Sequence, residues 1–189
     1  MPRPEVIAHL NRLYDDSDDP WDHRASPYEA EKYRRTLEAV GPGPFAHALE
    51  IGCGIGELSR RLAPRCRRLT MMDCIPKAVR AARTAVAGLD HVEVLLGAAP
   101  QELPPVRPDL ILLSEVLYFL TPSEIESLAA WITQAGTGTV VAVNWTGPTD
   151  EELTGTAAVA ELARHLPLTE TRSFAGFRID RFAPRTGSG

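Results

Sequence analysis

The stretch FAHALEIGCGIGELS, residues 45–59, limits what this chain can fold into more than any other. An apolar run ends in Glu50, and Gly52, Gly54 and Gly56 then alternate with other residues before a helical pattern begins. Such a run reads as a buried strand, and the glycine-rich turn after it lets backbone approach a ligand closely. Further apolar runs at 68–73, 92–96, 109–114 and 139–145 are short and bounded by Gly, Pro or polar residues, as buried parallel strands are. Helical patterns at 56–63, 76–87 and 122–134 alternate with them, the last opened by Thr121 as N-cap and Pro122 at the first helical position. Strand–helix alternation implies right-handed crossovers and a doubly wound α/β sheet. After residue 150 a helix at 151–165 precedes strands at 168–174 and 177–183, paired about Ala175-Gly176. The expected architecture is therefore a Rossmann-like sheet of seven strands, mostly parallel, ending in an antiparallel hairpin.

Ahead of the turn GPGP at 41–44 lie two helical segments, about 4–14 and 27–40, joined by the polar DDSDDPWDHRAS. They predict an N-terminal helical lid over 1–40, beside a core at 45–146 and a C-terminal helix and hairpin at 151–183, all in one domain. The final RTGSG reads as a frayed tail. With 189 residues and 44% apolar content the chain can bury one core. Its formal charge of −5, without a dense Lys/Arg run, argues against nucleic acid or an anionic membrane surface as partner. The first twenty residues lack an apolar leader segment, and no run approaches the ~20 apolar residues of a membrane span, so a cytoplasmic location is expected. Cys53, Cys66 and Cys74 are an odd count without C-x-x-C spacing, which predicts reduced thiols and no metal site.

A dinucleotide-binding loop would read G-x-G-x-x-G and aim a helix N-terminus at a pyrophosphate. Here the spacing is G-x-G-x-G, and Glu50 before it is the wrong neighbour for an anion. Glu50 suits a cationic ligand, or holds the loop by hydrogen bonds. S-adenosyl-L-methionine, with a sulfonium and an ammonium, fits both roles. Asp73 ends the second strand 21 positions after Gly52, where a carboxylate can accept from both hydroxyls of a ribose. It can also cap the helix opened by Pro76.

The segments LEIGCGIGELSRRLAPRC, MMDCIPKAVRAAR and DLILLSEVLYFL, with DDPWDHRASPYEAEKY upstream, resemble class I S-adenosylmethionine-dependent methyltransferases, and specifically the nodulation protein S family. The resemblance spans about residues 10–146. It implies transfer of a methyl group to a small acceptor, the founding members acting on a free amine of a chitooligosaccharide and similar sequences serving other amines, including those of natural products. It implies that Glu50, Gly52, Cys53, Gly54 and Gly56 line the methionine part of the cofactor, that Asp73 meets the ribose, and that Cys74 lies against the adenine. Ala98 stands where an acidic residue is common, leaving adenine to backbone around Ala98 and Ala99, or to Glu102. Ser114 lines the cofactor site, with Glu115 as holder of an acceptor ammonium and possible proton acceptor, and Tyr118 as a positioning hydroxyl. Trp21, Tyr28 and Lys32 of the lid supply an aromatic wall and a cation for the cofactor carboxylate, while His23, Asn144 and Trp145 face the acceptor.

Plainer roles stay open for several of these. Tyr28 and Tyr33 with Leu37 also fit the apolar face of a packed helix, Trp21 a loop anchor, and Lys32 and His23 solvated positions. Glu115 also fits an anchor for the segment after its strand, and Trp145 the core. Function likewise keeps two alternatives: methylation of oxygen, and a nucleotide-binding domain of this fold without activity.

Overall fold

In the computed structural model, which describes residues 3–135 and 138–183, strands run in the order β3-β2-β1-β4-β5-β7-β6. They are β1 (Ala48–Ile51), β2 (Leu69–Asp73), β3 (Val92–Leu96), β4 (Leu110–Ser114), β5 (Thr139–Trp145), β6 (Leu168–Ser173) and β7 (Phe177–Phe182). The first five pair in parallel, and β7 lies antiparallel between β5 and β6. The expected seven-stranded architecture is the one found. RTGSG, at the C-terminal end, lies outside the described residues.

Side chains alternate across the sheet, so each strand feeds two layers. Ile111, Leu113, Val140 and Ala142 pack under α5 (Pro122–Ala135) and α6 (Gly155–Ala163). Leu110, Leu112, Val141 and Val143 pack instead against α2 (Pro27–Val40) and α3 (Glu57–Leu62). Tyr33, Ala39 and Val40 are buried in that second layer. Thus α2 is a wall of the core rather than part of a lid, because its apolar stripe has a sheet face to cover. Only α1 (Pro4–Asp16) is left from the expected lid, packing Val6, Leu10 and Tyr14 against Ile55, Ile75 and Ala78. The last of these lies on α4 (Pro76–Ala85).

Element ends move for local reasons. Residues 45–47 are not strand: the Asp109 carboxylate accepts the N–H groups of Ala46 and His47 at 2.8 and 2.9 Å, replacing ladder bonds. Helix α6 starts only at Gly155, where the Thr154 hydroxyl accepts from Ala157 N–H at 3.2 Å and caps it. Helix α5 has Thr121 as its cap, as expected, and Glu124 makes the cap reciprocal, each side chain bonding the other's main-chain N–H. No helix among the described residues is long and apolar enough to cross a membrane.

Candidate functional site

Strand order reverses between β1, which continues leftward to β2, and β4, which continues rightward to β5. Above the carboxyl ends of these strands lies a cavity of about 530 Å³. The loops after β1, β2, β3 and β4 form its floor, α1 and residues 21–33 one side, and residues 145–151 the other.

The glycine loop owes its path to two positions. At Gly52, φ is +83°, and a Cβ would stand 2.5 Å from the carbonyl oxygen of Ser114, so only glycine lets β1 and β4 end side by side. Gly56, also left-handed at +85°, sits against Ala82 of α4 and does not line the cavity. The expectation that it touches the cofactor is therefore corrected: its missing Cβ serves the packing of α3 on α4. Gly54 faces the cavity, and the groups nearest to where its Cβ would be are Tyr14 Oη at 3.6 Å and His23 Nε2 at 3.8 Å.

Glu50 is fully buried under this loop. One carboxylate oxygen takes the Ser59 hydroxyl, and among the described residues the other, Oε1, has no partner. Burial pushes this carboxyl up to about 7, opposed by the Ser59 bond and reinforced by the nearby Asp73 charge. A cation entering the cavity would hold it ionised. Asp73 accepts from Gly54 N–H at 2.9 Å and Ile75 N–H at 3.0 Å, which shapes both adjoining turns and leaves a second lone pair on each oxygen. Burial raises its carboxyl despite those bonds. Cys74, Ala98 and Ala99 line the cavity beside it. Ala98 N–H donates to the Glu102 carboxylate at 2.9 Å and its carbonyl accepts from Glu102 N–H at 2.8 Å, so the Ala98 N–H is already engaged. Glu102 is committed to that turn and does not line the cavity.

At the end of β4 Ser114 lines the cavity and Glu115 takes φ +53°. The Glu115 carboxylate accepts from Lys32 Nζ at 2.9 Å, Tyr118 Oη at 3.1 Å and the main-chain N–H of Trp145 at 2.8 Å. Lys32 in turn donates to Glu29 at 2.8 Å, and Glu29 meets His23 Nδ1 at 3.2 Å. Burial alone would raise the Glu29 carboxyl, yet the bonds from His23 and Lys32 hold it below the ordinary range. Burial alone would lower Lys32, and its two carboxylates more than reverse that. Lys32 is thus neutralised within a buried cluster, which corrects its expected part as a free cation for a ligand carboxylate. Glu115 is equally engaged, and acts as an anchor that aims Tyr118. Burial, then Glu115, pushes the Tyr118 hydroxyl up, keeping it protonated.

Tyr28, Trp145 and Trp21 line the cavity. Tyr28 meets Trp145 edge-on at 6.2 Å between centroids, and the Trp145 indole N–H donates to Pro148 O at 3.2 Å. Trp21 meets Tyr14 edge-on at 5.6 Å. Asn144 is a correction: strand alternation turns it away from the cavity into the layer beneath α6, fully buried, with neither amide atom partnered among the described residues. Glu29, Tyr14 and Glu57 also line the cavity. The sequence held a hint of the first only, in the spacing that puts Glu29 and Lys32 on one helix face. No cluster of His, Cys, Asp or Glu placed to hold a metal occurs among the described residues.

The charge balance of the cavity is lopsided. Glu29, Glu50, Glu57, Asp73, Glu115, Asp150 and Glu151 line it, against Lys32 and two histidines. Glu151 is paired with Arg3, which ties the start of α1 to the opposite wall at 2.8 Å. Such a cavity favours cationic ligands.

Comparison with known proteins agrees with this layout. Nodulation protein S of Sinorhizobium fredii is 34% identical over 105 residues, covering 55% of this chain and 49% of that protein. Nodulation protein S of Rhizobium tropici is 35% identical over 105 residues, covering 55% and 44%. The chain thus spans about half the length of these relatives. Among solved structures, the N-methyltransferase NodS of Bradyrhizobium japonicum in complex with S-adenosylhomocysteine superposes with a TM-score of 0.83 over 95% of this chain and 98% of that one, at 23% identity. A putative methyltransferase of Pseudomonas syringae superposes at 0.71 with 28% identity, over 82% and 98%. The profile of Nodulation protein S (NodS) matches residues 4–135, more than two thirds of the sequence, and the chain belongs to that family.

Proposed function

We propose that this protein is an S-adenosylmethionine-dependent N-methyltransferase whose acceptor is the amine of a small molecule, an amino sugar of the chitooligosaccharide type among the candidates. The observation that carries the reading is the cavity itself, where seven carboxylates line the walls around a glycine loop and the lysine among them is already neutralised. The residues fit the cofactor: Glu50 Oε1 is a buried acceptor lacking a partner, and nothing but Tyr14 and His23 stands over Gly54. Family membership and the likeness to the N-methyltransferase NodS of Bradyrhizobium japonicum support the same reading.

The cofactor supplies a methyl group on a sulfonium, electrophilic enough to be taken by a neutral amine without further activation. Glu50 places negative charge beneath the loop. Gly52 and Gly54 admit ligand against backbone, with Cys53 packed below. Asp73 has lone pairs left for two ribose hydroxyls, and Cys74, Ala98 and Ala99 give a small apolar seat for a base. On the other side Tyr28 and Trp145, packed edge to face, form an aromatic wall. The Tyr118 hydroxyl donates its hydrogen bond to Glu115, so its oxygen can accept an N–H of the acceptor and orient the amine lone pair. Apolar residues of α1, with Trp21, exclude water from the reaction. The acidic cavity concentrates the acceptor in its ammonium form, which gives one proton to solvent water before the neutral amine attacks.

The test is transfer from methyl-labelled S-adenosylmethionine to glucosamine oligomers with a free amine, alongside the N-acetylated oligomers. Label on the free amines only supports N-methylation. Label on the acetylated oligomers would point to oxygen, and absence of label despite cofactor binding to a domain without this activity.

A further inference from the structure

A ligand with an amino-acid end brings a carboxylate into a cavity lined by seven others. Most of the usual donors are already bonded within the protein. The N–H groups of Gly52 and Cys53 bond Met72 O, that of Gly54 bonds Asp73, and that of Gly56 bonds Cys53 O. Lys32 sits between Glu29 and Glu115. Helix α3 after the loop has only six residues, too short to concentrate a dipole.

Two side chains remain over the loop. Tyr14 Oη and His23 Nε2 lie 3.6 and 3.8 Å from where a Gly54 Cβ would stand, on either side of the space above it. His23 is held from several directions. Its main-chain N–H bonds the Asp19 carboxylate at 2.8 Å, and its Nδ1 meets Tyr33 Oη at 2.8 Å and Glu29 at 3.2 Å. In the tautomer where Nδ1 accepts from the Tyr33 hydroxyl, the ring proton resides on Nε2. Nε2 is then a donor facing the cavity. Burial pushes the Tyr14 hydroxyl up, so it stays a donor as well.

We propose that Tyr14 Oη and His23 Nε2 form a two-point clamp for the carboxylate of the ligand's amino-acid portion, seated over Gly54. Glu29, Tyr33 and Asp19 are then positioning residues that aim the ring, and Asp73 is the remaining charge facing it from β2. The clamp takes the part expected of Lys32 and moves His23 from the acceptor to the cofactor. It rests on the proposed cofactor.

Calorimetry tests it with S-adenosylhomocysteine and 5′-methylthioadenosine, which share the nucleoside but differ in the amino-acid portion. Tyr14→Phe and His23→Asn should each weaken S-adenosylhomocysteine about tenfold or more, the scale of a lost hydrogen bond to a charged group, and leave methylthioadenosine unchanged. Unchanged S-adenosylhomocysteine affinity in both variants overturns the clamp, as does equal weakening of both ligands. A His23→Asn protein that keeps its affinity and loses only methyl transfer overturns it too, by returning His23 to the acceptor. Tyr14→Phe removes one oxygen and keeps the packed ring, so the test survives a misfolded His23 variant. Wild-type protein that binds neither ligand refutes the cofactor reading itself.

Discussion

Glu50 shows how one buried carboxyl links stability to ligand. The unfolded chain ionises it near 4.5 and the folded one near 7, so in between the folded state holds the extra proton. Its contribution is greatest below pH 4.5 and declines by ~3 kcal/mol as pH rises to 7, at 1.36 kcal/mol per pH unit of displacement. Glu50→Gln should flatten that decline, which urea unfolding at pH 5 and pH 8 would reveal; an unaltered pH profile would remove Glu50 as its source. Lys32 makes a second case. Lys32→Met would strand two carboxylates in the buried cluster and should cost about 3 to 5 kcal/mol, read by the same unfolding curves. The sequence placed Glu50 and Asp73 at a ligand site because both stand at the ends of apolar runs beside a glycine turn. It did not place Lys32 correctly, since the Glu115 that neutralises it lies 83 residues away. Asn144 failed for another reason: one step along a strand changes the face, and position at a strand end does not reveal which.

At the scale of elements, turns and caps carry most of the local specificity. Gly52→Ala would set a Cβ against Ser114 O at a left-handed φ and should cost at least ~2 kcal/mol, measured as a lower urea midpoint. Thr121→Ala removes half of the α5 capping box and should cost about 1 kcal/mol without altering cofactor affinity. Helix α2 was legible as a helix over 27–40, ending at the GPGP turn. Its place was not, because a polar linker before it and a GPGP turn after it look alike whether the helix covers a site or a sheet. The start of β1 was overextended because Phe45 and Ala46 are apolar, whereas Phe45 makes only an isolated bridge to Cys66 and the next two N–H groups go to an Asp109 that only the fold brings near.

For the whole molecule, the order β3-β2-β1-β4-β5-β7-β6 opens one crevice where the chain changes direction, and every strand ending there delivers a functional group. That order follows from strand–helix alternation, so the position of the site was readable from periodicity, while its acid-rich lining needed α1, α2 and residues 145–151 to converge. The central claim is that this crevice takes a nucleoside carrying a cationic amino acid, and not a dinucleotide. Calorimetric titration of the wild-type protein with S-adenosylhomocysteine, beside one with NADH, tests it most directly. The account predicts saturable one-to-one binding of S-adenosylhomocysteine and no heat above dilution from NADH. Binding of NADH, or a folded protein that ignores S-adenosylhomocysteine, would contradict it.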